Sequence, residues 1–355
     1  MAVETKIEWT DHTFNPWIGC TKVHAGCTHC YAESYANRYG KAKWGPSGTR
    51  AKTSESYWKQ PLKWNRDAEK AGERRRVFCA SLADVFEDWR GPIQAHDGDE
   101  IRKCVNSGCR WRGLLPVVTR QFGPQRQLND CPECGCPTEP ATMNDLRSDL
   151  FALIDATPNL DWLLLTKRPE NVRRMWPIEA AGYSAPPIPT LPPLPVYKRL
   201  HRPNVWIGTS ISDQATADEW IPRLLELRDL SPVLFLSAEP LLGPIDLGRL
   251  VFRGNGYSSP QWQAAVLQRR SIDWVIVGGE SGHGARPCNV EWIRSLIEQC
   301  LAAEVPCFVK QLGAGSHGFS IHELPHGMSS FVHSKGGDID EWPKDLRIRE
   351  FPHGR

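Results

Sequence analysis

Three cysteines crowd the run Gly19-Cys20-Thr21-Lys22-Val23-His24-Ala25-Gly26-Cys27-Thr28-His29-Cys30-Tyr31, spaced Cys-x6-Cys-x2-Cys. Thiolates bind soft metals, and the number of ligands says what is held. A structural zinc ion takes four, so His24 or His29 would have to supply the last. A [4Fe–4S] cluster held by Cys20, Cys27 and Cys30 leaves one iron free for a substrate or cofactor. The missing fourth cysteine favours the cluster over zinc, and both over unligated thiols.

A second set has the spacing of a closed site: Cys104-x4-Cys109, then 21 residues, then Cys131-x2-Cys134. The turn Cys131-Pro132-Glu133-Cys134-Gly135 resembles a zinc-ribbon knuckle, and four thiolates in two pairs predict structural zinc. Cys136 is a spare or a substitute for Cys134, and an auxiliary iron–sulfur cluster is the rival occupant. So small a segment buries too little to fold without its metal. Residues 101–136 carry Arg102, Lys103, Arg110, Arg112, Arg120 and Arg126 against Asp130 and Glu133, a net of +4. With Trp111 and Phe122 interleaved, this is a candidate nucleic-acid patch; a solvated basic face on a structural module is the plain alternative. Cys79, Cys288, Cys300 and Cys307 read as packing residues.

These residues need a frame. Continuous apolar runs recur at Val77–Ser81, Trp162–Thr166, Val205–Thr209, Val233–Ser237, Trp274–Gly278 and Cys307–Lys310, as buried parallel strands require. A further strand is expected near Thr13–Gly19. Helical stripes lie between them, with Leu146, Leu150, Leu153 and Ile154 on Asn144–Ala156, and Ile293, Leu296, Ile297 and Leu301 on Val290–Ala303. Strand starts about 30 to 40 residues apart predict βαβ units, hence an α/β fold closing as a (β/α) barrel, complete or partial. The long gap between the second and third strands holds the insert. The expected division is 1–98 for the first part of the barrel, 99–140 for the zinc ribbon, 141–315 for the rest of the barrel and 316–355 for a tail. Six of the ten residues 186–195 are proline, predicting an extended polyproline loop. Chemistry in such folds gathers at strand C-termini. There the sequence places Asp84, Lys167, Arg168, Thr209, Glu239, Glu280 and Lys310, a shared ligand site or a set of ion pairs.

A three-cysteine loop after the first strand, with Tyr31 opening the next helix, resembles that of radical S-adenosylmethionine (SAM) enzymes. More closely, Asn15-Pro16-Trp17-Ile18-Gly19-Cys20-Thr21-Lys22, Gly26-Cys27-x-x-Cys30-Tyr31-Ala32-Glu33, Thr166-Lys167-Arg168-Pro169, Ser237-Ala238-Glu239-Pro240-Leu241 and Val277-Gly278-Gly279-Glu280-Ser281 are similar to an uncharacterised family often encoded by phages and prophages. The resemblance runs from residue 5 to 315 apart from the insert. It implies a barrel of radical SAM type, with the SAM amino and carboxylate groups on the free iron of a [4Fe–4S] cluster. One electron would cleave the sulfonium bond, and the deoxyadenosyl radical would abstract a substrate hydrogen. On that reading Asp84 and Glu239 or Glu280 contact amino and ribose groups, Thr209 lies among the cofactor contacts, and Lys167, Arg168 or Lys310 hold anions. Two features depart from the mainstream pattern. The first cysteine gap is six residues rather than three, and Gly278-Gly279-Glu280 follows the sixth strand rather than the second.

Composition bounds the partners. The 355 residues are 40% hydrophobic and 24% charged with net charge +2, which excludes a wholesale polyanion binder. The start MAVETKIEWT has no apolar leader and no run approaches a membrane span, so a cytoplasmic chain without membrane contact is expected, with its twelve cysteines reduced. The sequence therefore reads as an enzyme acting on a nucleic acid or nucleotide, or less favourably with a protein partner. The alternative is a non-catalytic nucleic-acid- or protein-binding module with structural metal sites.

Overall fold

The computed structural model of the chain describes residues 5, 7–95, 98–106, 108–109, 111–114, 130–177, 201–248, 272–324 and 331–352. The proline-rich 186–195 and Arg110, Arg120, Phe122 and Arg126 lie outside them. The frame is a curled sheet of seven parallel strands in chain order, forming a half-barrel. Its strands are β1 (His12–Thr13), β2 (Arg75–Cys79), β3 (Leu160–Thr166), β4 (Val205–Ile211), β5 (Val233–Ala238), β6 (Trp274–Gly278) and β7 (Cys307–Gln311). Register is set by pairs such as Val77↔Trp162, Trp206↔Val233 and Ile276↔Phe308.

Side chains alternate across these strands, and each face has its own core. Cys79, Leu164, Ile207, Leu236 and Val277 pack against the helices. Phe78, Leu163, Trp206, Phe235, Trp274 and Phe308 fill the opposite, inner face together with Trp9. Trp274 centres that cluster, with ring centroids 5.9–6.3 Å from Trp9, Trp206, Phe235 and Phe308. The inner face is thus floored with aromatics, and polar chemistry is confined to the strand ends above it.

The helices that matter below are α1 (Tyr31–Arg38), α2 (Gln60–Ala71), α3 (Met143–Asp155), α4 (Pro169–Met175), α5 (Gln214–Leu225) and α6 (Val290–Ala302). A capping box between Thr142 and Asp145 starts α3, and one between Asp213 and Thr216 starts α5. Among the described residues no helix is long and apolar enough to cross a membrane.

Three expectations change. The first strand ends at Thr13; Trp17–Ile18 instead pairs antiparallel with Arg50–Lys52 in a separate sheet. Pro16 has no N–H for a ladder, and the Asn15 side chain accepts from the Leu82 N–H at 2.8 Å, turning the chain between the two sheets. Leu301 is 58% exposed, because the buried stripe of α6 runs through Ile293, Leu296, Ile297 and Cys300. The tail, which the sequence gives no role, covers the β7 edge: Glu350 N–H donates to Cys307 O at 2.9 Å and Val309 N–H to Ile348 O at 2.8 Å.

Candidate functional site

The cysteine loop leaves the small sheet at Gly19, whose φ of 118° suits only glycine and whose Cβ would meet Thr49 O at 2.4 Å. Gly19 N–H donates to Leu82 O, tying this loop to the chain that follows β2. Cys20 follows, Cys27 closes the short 3-10 turn Ala25–Cys27, and Cys30 stands at the N-cap of α1. All three thiols are half-buried and free. Burial above all, with Asp84, pushes the Cys20 thiol up to about 12 against the pull of Arg168, whose Nη1 lies 3.6 Å from the sulfur.

Arg168 is the hub of a buried ion-pair frame beneath the loop. Its Nη1 donates to Asp84 Oδ2 at 2.9 Å, and its Nη2 donates to Thr21 O at 2.6 Å and lies 3.6 Å from Glu87. Arg50, fully buried, grips both oxygens of Glu87 at 2.6 and 2.7 Å and donates to Thr21 Oγ1 at 2.9 Å. From α3, Arg147 donates to the Val85 and Glu87 carbonyls at 2.9 and 3.2 Å, fixing the loop that carries these acids. Burial alone would raise Asp84. Arg168 and hydrogen bonds from Lys167 N–H, the Thr166 hydroxyl and Phe86 N–H instead hold it below the ordinary range. Two donors reach each carboxylate oxygen, so Asp84 has no lone pair left for an ammonium group. This buried carboxylate braces the loop rather than contacting a cofactor.

On the other side of the loop, Arg286 grips Glu280 at 2.5 and 2.9 Å and donates to Ala25 O at 2.8 Å, while His29 Nδ1 lies 3.2 Å from Glu280. Burial opposes the charge on Glu280, but Arg286 and then His29 hold its carboxyl low. Glu280 first, with Cys27 contributing last, holds the Arg286 guanidinium up.

Above the aromatic floor lies a third group. Lys167 Nζ donates to Ser210 Oγ at 3.1 Å, Lys310 Nζ pairs with Glu239 at 2.9 Å, and Ser237 donates to Glu239 at 3.1 Å. Strand alternation explains the membership: Lys167 follows Leu165, Ser210 follows Trp206 by two steps, and Lys310 follows Phe308. The same alternation sends Thr209 to the helix side, where it is fully buried and donates to Thr166 O at 2.9 Å. Thr209 therefore ties β3 to β4 and is replaced on the inner face by Ser210. Arg50, Glu87, Arg147, Ser210, Ser237 and Arg286 are the site residues that sequence reasoning missed.

The insert gathers Cys104, Cys109, Cys131 and Cys134, with all ligand atoms within 4.8 Å of one another. Cys104 and Cys134 sulfurs are 3.4 Å apart, and Cys109 and Cys131 sulfurs 3.7 Å. Tetrahedral zinc thiolates with bonds of about 2.3 Å imply sulfur separations of about 3.8 Å, so the group can hold one such ion. Gly135, at φ 72°, makes the knuckle turn, and the Cys136 N–H donates to Cys134, drawing that thiol down to about 6. Cys136 itself stays outside the group. Strands Arg102–Cys104, Arg112–Gly113 and Thr138–Pro140 form the insert's sheet. Its described cations are engaged: Arg102 with Glu100, Lys103 with Glu139 and Asp145, and Arg112 with Asp145 and Asp149 on α3. The pairs of Lys103 and Arg112 with Asp145 and Asp149 staple the insert to the half-barrel.

A family model described as a protein of unknown function, DUF5131, matches residues 4–96 and 139–335. The chain belongs to this family. The DUF5131 match covers the cysteine loop and every strand of the half-barrel, and it breaks over 97–138, where the four-cysteine group lies. No curated protein and no solved structure matches the chain.

Among the described residues, Cys20, Cys27 and Cys30 do not form a group as tight as that in the insert. One ion needs its ligands that close, whereas a cluster takes each thiolate on a different iron. Three thiols on one loop, flanked by Arg168 and Arg286, are a donor set whose chemistry admits a soft metal or an iron–sulfur cluster.

Proposed function

We propose that the chain is a radical-SAM-like enzyme, with Cys20, Cys27 and Cys30 holding a [4Fe–4S] cluster and leaving one iron for SAM. The observation that carries this reading is the position of the three-thiol loop. It follows β1 at the C-terminal rim of seven parallel strands, where its Thr21 and His24 line one cleft with Lys167. When bound, the pair would supply one-electron cleavage of the sulfonium and a radical that takes hydrogen from a substrate. The chain's own residues bind and orient. Arg168 and Arg286 offset cluster charge from either side of the loop, Glu239 accepts from an ammonium or ribose hydroxyl, and Lys167 and Lys310 face anions. The aromatic floor keeps water from the lower half of the inner face.

The test is anaerobic purification, reduction and product analysis. The expected result is conversion of SAM to 5′-deoxyadenosine and methionine, lost in Glu239→Gln if that carboxylate positions the cofactor. A chain that carries zinc alone and leaves SAM intact would favour a non-catalytic binding module, whose sites are the ion-paired braces described above.

A further inference from the structure

We propose that the cleft between the cysteine loop and the starts of α4 and α5 binds a small organic oxyanion, its charged group held deep in the cleft by Lys167 and the His24 Nε2–H. The cleft measures about 640 Å³ and is walled by Val23, His24, Trp89, Lys167, Arg168 and Trp220. That is within the range of roughly 300–1,000 Å³ typical of small-molecule sites.

Its charges are distributed unevenly. At the mouth, Arg90 pairs with Asp88, and Arg223 pairs with Glu219 and Glu170. Deeper in, Arg168 is answered by Asp84 and Glu87. Lys167 differs: among the described residues its ammonium contacts the neutral Ser210 hydroxyl at 3.1 Å and pairs with no acid. A partly buried cation without a counter-ion favours an anion beside it.

His24 supplies the second donor. Its Nδ1 accepts the Gly26 N–H at 3.0 Å, so the ring proton of the neutral imidazole sits on Nε2. That Nε2 is buried and has no hydrogen-bond partner. Trp220 meets the ring edge-on at 4.7 Å and fixes its plane. With Nδ1 occupied as an acceptor, Nε2–H is the ring's donor, which suits an oxyanion.

Carboxylates and phosphates share this chemistry, so inorganic phosphate and succinate serve as separate probes. The inference does not depend on the radical reading, because binding is read without SAM or reductant. Calorimetric titration of the full chain should show saturable binding of at least one probe. Lys167→Gln should weaken it by roughly tenfold or more, as loss of a charge-assisted hydrogen bond does, and Lys167→Arg should retain most of it. In the unmutated chain, the bound probe should slow acetylation of Lys167 several-fold by peptide mass spectrometry and leave the exposed Lys63 unchanged. Binding of phosphate alone assigns a phosphoryl ligand, and binding of succinate alone a carboxylate. Absence of saturable binding, unaltered affinity in a folded Lys167→Gln chain, or no protection of Lys167 would overturn the proposal.

Discussion

Arg168→Ala is expected to destabilise the fold by about 3–5 kcal/mol at neutral pH, the usual cost of removing one partner from a buried pair. The loss falls on Asp84, only 5% exposed, and on Glu87, 4% exposed, which keeps Arg50 as its remaining partner. The cysteine loop also loses the hydrogen bond that Arg168 makes to Thr21 O. Acid should narrow the deficit. In the parent, Asp84 is held below its ordinary 3.8, so it contributes stability above that value, which is lost as pH falls through the depressed folded value. In the variant, burial acts on Asp84 without Arg168, so its protonation relieves the fold as pH falls. Urea unfolding midpoints at neutral and acid pH check this. An equal deficit at both would show that the pair is not the source.

Stripping the metal from the four-cysteine group is expected to unfold the insert and leave the half-barrel standing. Structural zinc contributes on the order of 10–16 kcal/mol in small modules, more than the insert's short strands can supply. The half-barrel has its own two-faced core, while ion pairs from Lys103 and Arg112 to α3 only dock the insert. Chelation should therefore expose residues 99–106 and 130–140 to proteolysis, and Cys131→Ser should reproduce the effect by removing a fully buried ligand. Purified chain with no bound zinc and a protease-resistant insert would contradict the assignment.

The strands β2 to β7 were legible because each contains a short apolar run, too short for a helix. The insert was legible because two close cysteine pairs on one short segment have the ligand spacing of a four-thiolate metal site. Strand ends were legible as a class but not residue by residue. Thr209 and Ser210 are neighbours of similar chemistry, and only alternation along β4, counted from Trp206, separates the helix side from the inner face. The brace under the cysteine loop was invisible. Arg50 with Glu87, Asp84 with Arg168, and Arg147 with Val85 join positions 37, 84 and 62 residues apart, and no local pattern records such pairs. The break at Pro16 was readable, since proline cannot continue a ladder, but the apolar Trp17-Ile18 pair beyond it masked the signal.

Iron analysis decides whether Cys20, Cys27 and Cys30 hold one cluster. Anaerobically purified chain should carry about four irons with visible thiolate–iron absorbance. Cys20→Ala, Cys27→Ala and Cys30→Ala should each lose both while keeping the insert's zinc, because Cys104, Cys109, Cys131 and Cys134 form a separate group. Full iron in the Cys27→Ala chain, or iron that disappears with the insert's cysteines instead, would contradict the account.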